Sequence, residues 1–277
     1  MHNLSIPPST RIVFVGGGNM ASAILQGLIK QGMPGQHITV IEPTEASRQR
    51  LEATFGVNTV EANPSALPEP VDVVVWAVKP QVLQSVAQPL APLVRHALHV
   101  SIAAGIGLSS LEKWLGCSRI VRCMPNTPAQ IGQGMSGMVA AAGLSQSDKD
   151  LADGILAAAG ERMWLASEQQ LDALTAISGS GPAYVFLWMA ALMQGGQELG
   201  LSSEQAKTLA AHTLIGAANL ALQSEQTPDA LRQAVTSKGG TTHEAITTMQ
   251  QRGVPEAIVA GMHACYNRAL ALGKELG

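Results

Sequence analysis

Residues 11–21, RIVFVGGGNMA, pass from an apolar, β-branched run through three glycines into small and apolar residues. An apolar run that ends in glycine predicts a buried strand. Met20, Ile24, Leu28 and Ile29 recur at helical spacing, so residues 19–31 predict a helix directly after it. Between the two, Gly16-Gly17-Gly18-Asn19-Met20-Ala21 fits the pattern G-x-G-x-x-A. Gly16 permits the tight turn. Gly18 lets the backbone approach a pyrophosphate. Ala21 allows close helix–strand contact, and the helix start offers unpaired N–H groups and the positive end of its dipole. A strand, glycine loop and helix in this order predict a dinucleotide site.

The same alternation continues outward. Residues 37–42, 97–102 and 119–123 read as strands, with helical stretches between them, and residues 45–55 as a charged helix with Leu51 and Phe55 on one face. Residues 71–78, VDVVVWAV, are apolar on both faces, which suits the centre of a parallel sheet. Residues 135–141 and 161–165 predict further strands around a helix at 146–158. This order predicts an α/β fold with an N-terminal doubly wound sheet of Rossmann type. After residue 166 the strand signals stop. Residues 168–177, 183–199, 203–223, 228–235, 242–252 and 255–275 read as helices. Ser202-Ser203 and Thr227-Pro228 mark helix starts, and Gly200 and Gly253 mark stops. The expected organisation is a dinucleotide-binding domain at 1–166 and an all-α C-terminal dimerisation and substrate-binding domain at 167–277.

Composition narrows the function. Apolar residues make up 46% of the chain and charged residues 13%, so much apolar surface must be hidden in a core or against another subunit. The run from Ala183 to Met193 is apolar nearly all round. It is expected to be buried on most sides, and helices of a second copy would bury it, so a homodimer is expected. Residues 173–197 carry no charge, but Ser178-Gly179-Ser180-Gly181-Pro182 interrupts them. The remaining run is shorter than the ~20 apolar residues a bilayer span needs, so no membrane is expected. A net charge of −3 with no basic run argues against nucleic acid. No secretory signal is legible at the N-terminus, so a cytoplasmic protein is expected. Cys117, Cys123 and Cys265 form neither a disulfide framework nor a zinc spacing, and the seven histidines show no ligand spacing, so no metal is expected. G-x-S-x-G, H-E-x-x-H and P-loop patterns are absent.

Further candidates sit at the ends of the expected strands. Glu42 closes the second strand, where an acid can accept from a ribose 2′-OH and repel a 2′-phosphate; Arg48 and Arg50 are the nearest arginines. Ala77-Val78-Lys79-Pro80 closes the central strand and should border the cofactor crevice. Ser101-Ile102-Ala103-Ala104-Gly105 is small enough to leave room for a flat ring. Pro125 and Pro128 clamp Asn126 and Thr127, which carry donors and acceptors. In the helical half, Thr236-Ser237-Lys238-Gly239-Gly240-Thr241-Thr242 is a loop of hydroxyls, glycines and free N–H groups ahead of a helix, which suits a small carboxylate.

Taken together, Val15-Gly16-Gly17-Gly18-Asn19-Met20, Val78-Lys79-Pro80, Met124-Pro125-Asn126-Thr127-Pro128, Ser178-Gly179-Ser180-Gly181-Pro182-Ala183-Tyr184 and residues 235–242 resemble the pyrroline-5-carboxylate reductase family. The last two motifs carry the resemblance; the glycine loop is generic. The resemblance implies reduction of Δ1-pyrroline-5-carboxylate to L-proline, the last step of proline biosynthesis, in a homodimer that many members assemble into a larger ring. It implies NADPH as cofactor, with NADH as the second candidate. Val15, Gly16, Gly17, Gly18, Asn19 and Met20 would hold the pyrophosphate. Glu42, Asn63, Ala77, Val78, Lys79, Pro80, Ile102, Ala103, Ala104 and Asn126 would complete the cofactor site. Val235, Ser237, Gly239, Gly240, Thr241 and Thr242 would hold substrate, with Ser237 and Thr242 at the reacting group and Thr242 on the ring nitrogen. Two positions depart from the family: Lys238 stands where members usually have proline, and Glu42 is an acid in a family that more often favours NADPH. Two rival readings are a β-hydroxyacid dehydrogenase and a catalytically silent dinucleotide sensor. The first needs a lysine in the helix opening the second domain, and residues 179–193 have none. The second needs no carboxylate loop.

Overall fold

The computed structural model describes residues 6–62, 67 and 70–276. Eight strands, β1 (Ile12–Val15), β2 (Ile38–Ile41), β3 (Asn58–Val60), β4 (Val73–Trp76), β5 (Leu98–Ser101), β6 (Ile120–Met124), β7 (Gly134–Ala140) and β8 (Gly160–Trp164), form one sheet in the order β3-β2-β1-β4-β5-β6-β7-β8. Only β6 and β7 pair antiparallel among them. Helices α1 (Asn19–Lys30), α2 (Glu45–Phe55), α3 (Pro80–Val94), α4 (Leu108–Leu115), α5 (Gln146–Ala157) and α6 (Glu168–Leu174) flank it. The doubly wound reading holds: Ile12, Phe14, Val73 and Val75 enter one core, and Val13, Val15, Val74 and Trp76 enter the other, on the opposite face. The strand order reverses between β1 and β4, so the ligand crevice of this fold class lies at their carboxyl ends. The edge strand β3 has three residues and was not anticipated, because so short a segment shows no periodicity.

One buried cation organises the far side of the sheet. Arg122 of β6, whose side chain is 7% exposed, pairs with Glu168 and Asp172 at 2.8 Å each. Glu168 also accepts the Leu108 N–H at 2.9 Å, so α6 is tied both to the sheet and to the start of α4. A buried guanidinium left without these partners would be strongly destabilising.

Packing divides the chain into Met1–Ser180 with Cys265–Gly277, and Gly181–Ala264. The sequence reading placed the boundary at 166/167. By packing, helix α6 and the π turn after it, Thr175–Gly179, group with the sheet, since Leu171 and Ala176 are buried and the methyls of Leu171 and Leu174 fill the space beside Gly137. The last residues return to the first unit, where Leu272 and Gly273 lie against Gly105. At the expected break, Ser178–Pro182, the π turn ends and Ser180 makes a bend before the next helix starts at Gly181. By length and composition alone the stretch Glu168–Glu198 is long and apolar enough to cross a bilayer.

The second unit is helical: α7 (Gly181–Glu198), α8 (Ser203–Gln223), α9 (Pro228–Ala234), α10 (Thr241–Gln251) and the first part of α11 (Val254–Leu276). Gly200, at φ +96°, ends α7, and Ser202 with Gln205 forms a capping box that starts α8. Helix α7 departs from the expectation of burial. Within one chain none of its described residues is buried, with Phe186 65% and Leu187 71% exposed. A single small helical unit has too few helices to surround one that is apolar on every side.

One of the seven histidines, His99, lies within the sheet. It is buried on β5, stacks on Trp76 and accepts the indole N–H at Nδ1 (3.1 Å), while its Nε2 has no partner. Burial, helped by nearby Arg119, lowers its pKa from 6.5 to about 4. The unfolded chain therefore binds a proton at this residue below pH 6.5 that the folded chain refuses until about pH 4. Stability should fall as pH drops through this window, by about 3 kcal/mol from this group. Denaturant unfolding of wild type and His99→Gln between pH 4 and 7 checks this: the variant should show a shallower acid limb.

Candidate active site

The glycine loop leaves β1 between the carboxyl ends of its neighbours. Gly16 has φ +99°, and a Cβ there would stand 2.8 Å from the carbonyl oxygen of Ala77 and 3.0 Å from a methyl of Val78. Glycine is required both by conformation and by space. Gly18 differs. It is the N-cap of α1 at φ −69°, and a Cβ there would meet nothing within 4 Å. Packing does not demand glycine at this position, whereas close approach of a ligand does. No side chain caps α1, and the first bond back to the loop comes from Ser22 N–H, so the N–H groups of Asn19, Met20 and Ala21 have no intrahelical acceptor. This open, positive helix start fits a pyrophosphate.

Other expected cofactor residues border the same crevice. Val15 closes β1 and accepts the Ala77 N–H at 2.9 Å; Val78 packs beside Gly16, and exposed Lys79 with Pro80 opens α3. Ile102 and Ala103 follow β5; Ala103 is buried, so it offers backbone rather than side chain, and Ala104 is half-buried. The Asn126 side chain is engaged within the protein: Nδ2 donates to the Ser178 carbonyl at 3.0 Å, and Oδ1 accepts the Met135 N–H at 2.9 Å. Nothing local in the sequence announces a partner 52 residues away. Glu42, expected at the ribose, turns towards the glycine loop and accepts the Gly17 N–H at 3.0 Å and the Thr44 N–H at 3.1 Å. Asn63 lies outside the described residues.

In the second unit the Ser237–Thr242 loop is a tight turn into α10. Gly240 N–H donates to the Ser237 carbonyl at 3.0 Å, and Gly239 has φ +73°. Positive φ at the third position defines a type II turn, whose second position suits proline and accepts other L-residues. That second position is Lys238, so the departure from the family leaves the turn intact. A Cβ on Gly240 would stand 2.6 Å from Ser237 Oγ and 3.1 Å from the Ser237 carbonyl oxygen, so Ser237 would have to shift to admit one. Gly240 caps α10 without a side-chain bond, and the first return bond comes from Glu244, so the N–H groups of Thr241, Thr242 and His243 are open. Thr242 is half-buried, Thr241 is exposed, and Val235 is 66% exposed just before the turn. Hydroxyls and a helix start of this kind hold a small carboxylate.

Two concavities lie elsewhere. One, of about 850 Å³, is lined by Lys30, Gln31, Gln130, Glu161 and Arg162 among others and shares no residue with either motif. The other, of about 560 Å³, is an apolar groove of the second unit between α7 (Leu187, Trp188, Leu192) and Met249 and Ile258.

A Rossmann sheet with an open glycine loop, followed by a helical unit with an anion-binding helix start, defines the class: a dinucleotide-dependent oxidoreductase. A family model described as "Pyrroline-5-carboxylate reductase dimerisation" matches residues 168–272, and one described as "NADP oxidoreductase coenzyme F420-dependent" matches residues 11–105. The chain is 45% identical over 269 residues to a pyrroline-5-carboxylate reductase of Pseudomonas aeruginosa, covering 96% of this chain and 98% of that one. Its structure matches a pyrroline-5-carboxylate reductase of Coxiella burnetii (TM-score 0.88, 39% identity, 95% and 98% coverage). It also matches the Plasmodium falciparum pyrroline carboxylate reductase solved with NADP bound (TM-score 0.86, 27% identity, 96% and 99% coverage). The chain belongs to the pyrroline-5-carboxylate reductase family, a family of oxidoreductases.

Two outcomes follow from the glycines and the turn. Gly18→Ala should leave the melting temperature close to wild type, because the added Cβ meets no atom within 4 Å, yet weaken dinucleotide binding about tenfold or more. Calorimetry and a nucleotide titration measure the two separately. Lys238→Pro should raise stability by about 0.4–1 kcal/mol, since it restricts the unfolded chain at a compatible turn position; a lower melting temperature would show that the turn is of another type.

Proposed function

We propose that this chain reduces Δ1-pyrroline-5-carboxylate to L-proline, with NADPH as the preferred donor and NADH as the weaker one. The observation that carries the substrate is the start of α10: a type II turn of Ser237–Gly240 delivering open N–H groups and hydroxyls to one small anion. NADPH, when bound, supplies the hydride that reduces the C=N bond.

The residues of this chain orient and neutralise. The N–H groups of Asn19, Met20 and Ala21 receive the pyrophosphate at the open end of α1. Ala77, Val78, Ile102, Ala103 and Ala104 present a narrow, small-residue crevice for a flat ring. Ser237, Gly239, Gly240 and Thr241 hold the substrate carboxylate through hydroxyl and N–H groups, with Val235 as an apolar wall. Thr242 holds the ring nitrogen by a hydrogen bond. The imine nitrogen is basic enough to arrive protonated, so the site needs no strong acid; orientation and fixed dipoles provide the catalysis.

The working form is a homodimer in the cytoplasm. The apolar surface of α7 and the groove beside Trp188 support a partner subunit, and a larger ring of dimers extends the same reading. A β-hydroxyacid dehydrogenase and a silent sensor have no observation in their favour.

The deciding assay follows nicotinamide absorbance with purified protein and pyrroline-5-carboxylate, NADPH and NADH side by side. Turnover is expected with both, and its absence with both would overturn the proposal. Thr242→Ala should lower kcat/KM by ~1–3 kcal/mol of transition-state stabilisation, the scale of a hydrogen bond to a charged group. An unchanged kcat/KM would remove Thr242 from the mechanism.

A further inference from the structure

We infer that Glu42 is an anchor for the glycine loop rather than a reader of ribose, and that Arg50 takes the 2′-phosphate that distinguishes NADPH from NADH. This deepens the cofactor reading above and rests on it. An acid at the end of the second strand ordinarily accepts from the ribose 2′-OH and repels a 2′-phosphate. Here both carboxylate oxygens already face backbone donors. Oε2 accepts from Gly17 at 3.0 Å and Oε1 from Thr44 at 3.1 Å. A Cβ on Gly17 would lie 3.3 Å from Oε2, so the carboxylate is packed against the loop. Glu42 thereby joins the end of β2 to the turn after β1, and part of its charge is compensated by two N–H dipoles.

The two arginines on α2 differ in what they hold. Arg48, with a side chain 15% exposed, donates to the carbonyls of Glu42 and Pro43 at 2.9 Å each and lies 3.6 Å from Glu61. It braces the chain as it leaves β2. Arg50 is exposed, and its guanidinium reaches the Gly17 carbonyl at 3.4 Å, the long end of hydrogen-bond range. Guanidinium has five N–H donors in a planar fork suited to phosphate. Arg50 therefore stands beside the glycine loop and Glu42 with most of its donors uncommitted. Thr44, the N-cap of α2, makes no side-chain cap bond, so the first N–H groups of that helix are left without an intrahelical acceptor. An acid held inward, a guanidinium held outward and an uncapped helix start favour a phosphate over a free hydroxyl.

The test titrates the whole protein, without substrate, with NADPH and with NADH, following reduced-nicotinamide fluorescence. Wild type, Arg50→Ala, Arg50→Lys and Glu42→Gln are compared, and thermal melts confirm that each is folded. Arg50→Ala should weaken NADPH about tenfold or more and leave NADH within about twofold, with Arg50→Lys recovering part of the loss. Glu42→Gln keeps an oxygen for the Gly17 N–H, so NADH should again stay within about twofold. Equal effects of Arg50→Ala on both nucleotides, or none on either, would overturn the role of Arg50. A roughly tenfold loss of NADH with Glu42→Gln, alongside tighter NADPH, would return Glu42 to the ribose. Because no substrate is present, these outcomes are independent of whether pyrroline-5-carboxylate is turned over.

Discussion

The carbonyl oxygen of Ala77 lies 2.8 Å from where a β-carbon on Gly16 would stand, and the rest of the first unit is arranged around that approach. Two parallel strands, β1 and β4, end side by side with their ladder continued by Ala77 N–H on Val15. The chain leaving β1 must turn at once, beneath one neighbour and beside the other. Only glycine at φ +99° makes that turn in that space. The turn sets where α1 begins, and the start of α1 sets where an anion can be held. Glu42 then fixes the second glycine from the β2 side. At Gly16, fold and glycine loop are therefore one construction.

The second unit contains a helix start of the same kind as that of α1. Gly240 starts α10 uncapped, as Gly18 starts α1, and in both places an extended glycine replaces the usual capping side chain. Four other helices, α5, α6, α8 and α9, are capped by side chains, with Ser145, Ser167, Ser202 and Thr227 each accepting a backbone N–H. The exposed apolar length of α7 has a related meaning. A dimerisation family model covers residues 168–272, and the helix that one chain leaves uncovered is the surface two chains would share.

Much of this was legible in the chain itself. The β-branched run at 71–78 became the central strand β4, the glycine pattern became the turn before α1, and residues 203–223 became α8 with the same bounds. These signals are local: periodicity, glycine and capping residues act within a few positions. Three things were not legible. Strand β3 is too short for a pattern. The π turn at Thr175–Gly179 was not legible because it rests on distant contacts: Gly179 packs on Met124 and Asn126 holds the Ser178 carbonyl. The direction of the Glu42 carboxylate depends on Gly17, 25 residues earlier.

The sequence by itself determined the class of fold, the order of elements, the positions of the two glycine-rich loops and the family, because each is written in residue types at short spacing. Tertiary structure alone decided which groups those loops keep free. It turned Glu42 inward, left Arg50 outward, placed Arg122 between two acids of α6, and assigned residues 167–180 to the sheet. Those outcomes rest on contacts between residues far apart in the chain, whose distances no local pattern encodes.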